Sequence, residues 1–230
     1  MADEVPRHIA LIPDGNRRWA RKHNKPLLEG HAVGIDNLGN LLKWCREFKV
    51  KELTAWGFST ENFDRSPGEV HGLMKLFEQK LRESEDRNEV HKHQVRVRVL
   101  GDLSRFPESV RKMIRGLEER TAKYDKYHLN LLLGYGGRQE IIAAVKEAVE
   151  RNMRNIDEKS FRKLLWTSGL QSDPDLIIRT SGETRMSGLL PWQGAYSEYY
   201  FSKKLWPDFK RADFVRALKD YANRKRRFGK

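Results

Sequence analysis

Short apolar runs alternate with longer stripes of helical spacing along this chain. Residues 8–12 read as an apolar run, ended by the turn cluster Pro13-Asp14-Gly15-Asn16. Ile35, Leu38, Leu41, Leu42, Cys45 and Phe48 then recur at helical spacing. Residues 53–58 predict a second strand, followed by the polar Ser59-Thr60-Glu61-Asn62. Pro67-Gly68 opens another helix, with Val70, Leu73, Met74, Phe77 and Leu81 on one face. Val95, Val97 and Val99 alternate with Arg96 and Arg98 in a third strand, which Leu100 and Gly101-Asp102 close.

The second half repeats the pattern. Pro107 suits the first turn of a helix whose stripe is Val110, Met113, Ile114 and Leu117. Residues 129–133 predict a fourth strand, closed by Gly134-Tyr135-Gly136-Gly137, and residues 141–149 a helix. Residues 176–178 and 198–201 predict the fifth and sixth strands, and the tail is helical from Asp213. With no internal repeat or low-complexity linker, residues 1–230 read as one domain. The expected fold is α/β: a mainly parallel six-stranded sheet with helices on both faces. Ligands of such sheets bind beyond the carboxyl ends of the strands. The loops carrying Asp14, Ser59, Gly134 and Thr180 should therefore share one rim.

Charge narrows the chemistry. Forty-five Lys and Arg against 32 Asp and Glu leave a net charge of +13. Such an excess implies an anionic partner: nucleic acid, an acidic membrane surface or phosphorylated small molecules. The single cysteine, Cys45, excludes a disulfide framework and a cysteine zinc site, and points to a reducing cytoplasm. No apolar stretch approaches the roughly 18–20 residues of a membrane span, and the acidic N-terminus does not read as a signal peptide. P-loop, dinucleotide-fold, nucleophile-elbow and HExxH motifs are missing, as is the Asp-Asp pair of trans-type prenyl synthases.

The loops carry the candidate residues. In Asp14-Gly15-Asn16-Arg17-Arg18, glycine lets the backbone approach a ligand and Arg18 can add a forked phosphate contact. Asp14 amid positive charge suits Mg²⁺, which takes one or two carboxylates and completes its shell with phosphate oxygens. It equally suits a helix cap. The segment from Arg179 to Ser187 has two arginines, three hydroxyls and a glycine, suited to gripping a diphosphate. The segment from Ser59 to Arg65 either orients a substrate or caps the Pro67 helix. His31 opens a helix after Gly30, and Glu198 reads as a surface residue.

These residues resemble the cis-prenyltransferases, the undecaprenyl or dehydrodolichyl diphosphate synthase family. The likeness rests on residues 8–20 with Gly30-His31, on residues 58–65, on Leu100-Gly101-Asp102 and on Tyr135-Gly136-Gly137-Arg138. It continues through residues 175–187, Trp192-Gln193, Glu198, residues 205–209 and the tail to Gly229. The resemblance implies an enzyme that condenses isopentenyl diphosphate onto an allylic C15 or C20 diphosphate with Mg²⁺. The product would be a polyprenyl diphosphate, the precursor of a glycosyl carrier lipid. It makes Asp14 the catalytic and metal-binding carboxylate and Glu198 the second metal carboxylate. Gly15, Asn16, Arg17, Arg18, Trp19 and His31 would hold the allylic primer. Arg179, Arg185, Met186 and Ser187 would hold isopentenyl diphosphate. Ser59, Thr60, Glu61, Phe63 and Arg65 would position the reacting carbon, and Asn62 would assist proton removal. The resemblance further implies a homodimer whose tail, through Arg227 and Gly229, reaches the neighbouring site.

The chain departs from bacterial members at Leu27, where an arginine is usual, and at Phe63, where tryptophan is usual; Arg17, Phe63 and Ser181 look closer to archaeal and eukaryotic members. The growing chain needs an apolar tunnel, for which the Val70–Leu81 stripe and Val97, Val99, Leu129, Leu131 and Leu133 are the candidates; the same residues would build any core. Two other readings follow from the charge and the family: a basic nucleic-acid-binding protein, and a non-catalytic partner subunit. Retention of Asp14 and the arginines speaks against the second. The lack of a helix-turn-helix, zinc or RNP motif speaks against the first, so no nucleic acid is expected. The basic surface also suits peripheral contact with an anionic membrane.

Overall fold

The computed structural model describes residues 5–224, apart from the side chains of 85–87. In chain order it comprises β1 (His8–Ile12), α1 (Asn16–Lys22), α2 (Leu27–Glu47), β2 (Glu52–Ser59), a 3-10 turn (Thr60–Asp64), α3 (Pro67–Arg87), α4 (Glu89–Lys92) and β3 (Val95–Leu100). Then come α5 (Glu108–Thr121), β4 (Tyr127–Tyr135), α6 (Gly137–Glu150), α7 (Glu158–Arg162), β5 (Leu176–Arg179), β6 (Glu198–Phe201), a second 3-10 turn (Trp206–Asp208) and α8 (Arg211–Ala222). The strands form one sheet in the order β3-β4-β2-β1-β5-β6, and every neighbouring pair is parallel.

Burial explains why the central strands read as apolar runs. All five residues of β1 and all four of β5 are buried, as expected of strands covered on both faces. Strand alternation assigns Ile9 and Leu11 to one core, with Leu41, Trp206 and Phe214. Ala10 and Ile12 belong to the opposite core, with Tyr135, Leu189 and Leu190. A third cluster gathers Phe58, Leu73, Met74, Phe106 and Ile114. The single-domain α/β architecture predicted from the alternation is the one observed.

Boundaries differ where backbone geometry outweighs pattern. The fourth strand does not stop at Gly134 but runs on to Tyr135. Gly134 takes a φ of 59°, and a methyl there would come within 2.1 Å of the Asp102 carbonyl, so its glycine reflects a close approach inside the strand. Helix α2 begins at Leu27, so His31 does not open it but sits in its second turn. Pro107 lies just before α5. The sequence pattern did not anticipate α4 and α7, which span one turn or little more.

Candidate active site

The chain leaves β1 toward β2 on one side of the sheet, while β5 lies on the other side. The carboxyl edge between β1 and β5 is the crevice where ligands of open α/β sheets bind. Asp14 follows β1 there, and Arg179, paired with Ile12, ends β5.

The backbone at Asp14 is held from several sides. Its N–H donates to the Ile12 carbonyl at 2.9 Å. Its own carbonyl accepts from the Thr180 hydroxyl at 2.7 Å and from the Trp206 N–H at 3.0 Å. Gly15 then adopts a φ of 111°, and a methyl there would stand 3.0 Å from the Leu205 side chain. Both conformation and space demand glycine.

The carboxylate lies between two guanidinium groups. Asp14 Oδ2 accepts from Arg179 Nη2 at 2.9 Å. The other arm of the same fork, Nη1, donates to the Arg185 carbonyl at 2.5 Å and to Ser187 Oγ at 2.7 Å. Arg179 is buried, and its Nε has no hydrogen-bond partner among the described residues. Arg18 stands 3.6 Å from Asp14 Oδ1, lies 3.3 Å from Glu183 and donates to the Ser181 hydroxyl. Arg185 is exposed and pairs with Glu183 at 2.5 Å. One arginine thus ties the Asp14 turn to the 185–187 loop, with no lysine able to copy the fork.

Beside this cluster, Asn16, His31, Asn62 and Arg65 line the mouth of a narrow cavity of about 70 Å³. Its inner wall is apolar: Ile35 and Leu38 from α2, Ala55 to Phe58 from β2, and Leu73 and Phe77 from α3. His31 Nε2 and Asn16 Oδ1 are buried without partners among the described residues. Burial, then the nearby Arg65 charge, pulls the His31 imidazole down to about 4, so it is neutral at pH 7. Thr60 Oγ1 is likewise buried and has no partner among the described residues. Glu69 gathers the neighbouring arginines, 3.1 Å from Arg65 and 3.6 Å from Arg17. It escaped the sequence reading, although its spacing four residues after Arg65 on the α3 turn is a signal for such a pair.

Several expected site residues have other occupations. The Trp19 indole N–H donates to Asp208 at 2.8 Å, and its ring stacks on His23. Phe63 packs edge-on against Phe58 and Phe106, under the Arg105 guanidinium. Asn62 Oδ1 accepts from the Ser59 N–H at 3.1 Å, closing a capping box on the 3-10 turn. Its remaining polar group is an NH₂ donor, which cannot take up a proton. Met186 sulfur accepts from the Tyr199 hydroxyl, and Glu61 is exposed. On β3 and β4, the residues open to a tunnel or a core reading take the core one. Val97, Leu129 and Leu133 are packed in the cores, while α2 and β2 line the cavity with α3.

The two expected metal carboxylates do not meet within one chain. Glu198 is level with Leu176, which is level with Ile9. At 3.3 Å per residue this places it roughly 15 Å from Asp14 along the strand direction. There it accepts from Arg224 at 2.7 Å. Among the described residues, no group of three or more His, Cys, Asp or Glu could hold a metal ion. Asp14 alone, with Oδ1 only loosely engaged, fits a hard cation that draws most of its ligands from phosphate and water. Arg227 and Gly229 lie outside the described residues.

An all-parallel α/β sheet with a carboxylate held between guanidinium forks at its crevice, beside an apolar cavity, defines a protein that handles a charged head joined to an apolar body. Comparison with known proteins makes this specific. Residues 12–229 match a family model described as "Putative undecaprenyl diphosphate synthase". The chain is 46% identical to the tritrans,polycis-undecaprenyl-diphosphate synthase (geranylgeranyl-diphosphate specific) of Methanocaldococcus jannaschii, over 99% of this chain and 84% of the relative. It is 47% identical to an isoprenyl transferase of Thermus thermophilus, over 98% and 89%. The crystal structure of lavandulyl diphosphate synthase from Lavandula x intermedia, in complex with dimethylallyl diphosphate, superposes with a TM-score of 0.92 at 36% identity, covering 98% and 99% of the two chains. The chain belongs to the undecaprenyl diphosphate synthase family of cis-prenyltransferases. It is a transferase of isoprenoid synthesis.

Proposed function

We propose that the protein joins isopentenyl diphosphate to an allylic C20 diphosphate, repeatedly and with cis geometry, to build a long polyprenyl diphosphate that serves as precursor of a glycosyl carrier lipid. The observation that carries this reading is the Arg179 fork, which links Asp14 to the 185–187 loop beside an apolar cavity. In this reaction the allylic carbon–oxygen bond breaks, diphosphate departs, and the new carbon–carbon bond forms as the second substrate loses a proton. Negative charge grows on the departing diphosphate, so fixed cations aimed there lower the barrier. Arg18 stands beside Asp14 and can stabilise the allylic head. Arg179, Arg185 and Ser187 can fix the isopentenyl head. Neutral His31 and Asn16 each present an unused polar atom near the cavity mouth. Holding both substrates in register removes the entropic cost of their meeting. The Asn62 NH₂ can donate to a diphosphate oxygen, which is the better proton acceptor. Asp14 would hold Mg²⁺, whose Lewis acidity would further stabilise the leaving diphosphate.

The C20 primer follows the specificity named for the archaeal relatives. A homodimer fits the exposed apolar stripe of Ile142, Val145 and Val149 on α6, which a second copy would cover. Glu198 could reach a metal at Asp14 only from such a copy. Chromatography of products from C10, C15 and C20 primers, with isopentenyl diphosphate and Mg²⁺, tests the reading. Extension of the C20 primer, abolished by EDTA, is expected. Unextended primers in every case would refute it.

A further inference from the structure

The opposite edge of the sheet carries its own concentration of charge. The loops leading into β2, β3 and β4 meet there, because these three strands are neighbours and parallel. Lys49 and Lys51 precede β2, Lys92 precedes β3, and Lys123 and Lys126 precede β4; Lys43 joins them from the last turns of α2. All six are exposed. Among the described residues, none lies within 4 Å of a carboxylate. The acidic side chains of this edge have other partners: Glu47 pairs with Arg211, Glu89 with His93 and Arg46, and Asp125 with His128. Four basic residues, Lys43, Arg46, Lys92 and Lys126, and two carboxylates, Glu47 and Glu89, line a groove of about 630 Å³ with Tyr127 on its wall. The Lys51 ammonium lies 5.1 Å from the Tyr127 ring centroid.

The groove and the apolar cavity lie along one helix. Helix α2 carries His31 at the cavity mouth and, about 18–23 Å further along its axis, Lys43 and Arg46 at the groove. A polyprenyl chain that outgrew the cavity along α2 would reach this edge. It cannot remain in water, and a bilayer is the solvent it requires. Exposed lysines spread over adjoining loops supply a broad positive field rather than forked recognition of one ligand. An anionic lipid surface attracts such a field with each added cation. Half-exposed Tyr124 and Tyr127 are the amphipathic rings that suit a headgroup layer.

We infer that the amino edge of the sheet, centred on Lys43, Lys92 and Lys126, docks on an anionic phospholipid surface. This inference rests on the proposed elongation, because that reaction supplies the lipid that must leave here. The test is co-sedimentation of the full chain with vesicles of phosphatidylcholine alone or mixed with phosphatidylglycerol. Binding is expected only to the mixed vesicles. The variant Lys43→Gln/Lys92→Gln/Lys126→Gln should partition about a hundredfold more weakly. The matched variant Lys146→Gln/Lys159→Gln/Lys163→Gln, with equal charge loss elsewhere, should bind like wild type, as should arginine at the three groove positions. Millimolar inorganic phosphate should leave vesicle binding in place. Undiminished binding by the groove variant, equal loss in both glutamine variants, release by phosphate, or no wild-type binding to anionic vesicles would each overturn the inference. Unchanged solution turnover of a water-soluble primer by the groove variant supports it, since these lysines lie away from Asp14; lost turnover in a correctly melting variant would count against it. Failure of wild type itself to extend any primer would sink the elongation reading instead, and is scored separately from vesicle binding.

Discussion

The two ends of one sheet are both basic, but they use different cations in different ways. At the carboxyl edge the central charge is Arg179, buried, with its fork divided between Asp14 and the 185–187 loop. At the amino edge the charges are exposed lysines that, among the described residues, stand within 4 Å of no carboxylate. A guanidinium offers five donors in a fixed plane and specifies geometry, whereas an ammonium on a flexible stem supplies charge. The same net charge of +13 therefore contains a chemical site and a field. Composition sees only their sum.

The sharpest way to separate the edges is to alter each centre in turn. Asp14→Asn keeps the shape of the turn but removes the carboxylate charge, and should lower kcat by about a thousandfold or more, as expected where electrostatic stabilisation dominates. Its melting temperature should stay close to wild type. Next, Arg179→Lys should lower kcat/KM for isopentenyl diphosphate by roughly a hundredfold, since one ammonium cannot span Asp14 and Ser187. At the amino edge the reverse exchange, Lys126→Arg, should leave both turnover and vesicle binding unchanged. Steady-state kinetics on both variants checks whether geometry matters at one edge and not at the other.

Smaller effects probe the frame around the carboxyl edge. The folded His31 pKa of about 4 lies below its ordinary 6.5. As pH falls from 6.5 toward 4, the unfolded chain takes up a proton that the folded chain refuses, so stability falls through this window. His31→Gln should remove up to about 3 kcal/mol of that loss. His8 and His128 are also lowered by burial and will leave a residual slope. Denaturant melts across pH 4–7 measure the difference. Gly15→Ala should cost about 1–2 kcal/mol through the left-handed backbone alone, with the Leu205 contact adding to it. The same method detects that loss.

The sequence was most informative where chemistry and topology coincide. The apolar runs of β1 and β5, fully buried, could be read directly, and so could the rule that their exit loops share a rim. Asp14, Arg18 and Arg179 were therefore brought together before any geometry was known. What was hidden depends on long-range packing. Phe63 stands in a polar segment, yet the 3-10 turn points it at Phe58 and Phe106. Trp19 lies among the residues expected to bind the primer, but its N–H goes to Asp208, 189 positions away. Glu198 is expected from sequence as a metal carboxylate, while strand register takes it to the other end of the sheet. The lysines of the amino edge, scattered over some eighty positions, become one surface only through the order β3-β4-β2.

A crystal structure with Mg²⁺, isopentenyl diphosphate and a non-reacting thio analogue of the allylic substrate would test the central arrangement directly. Both diphosphates should lie at the crevice between β1 and β5, with the metal on the Asp14 carboxylate and the isopentenyl head against Arg179, Arg185 and Ser187. Diphosphates bound with no contact to Asp14 or the Arg179 fork would contradict it.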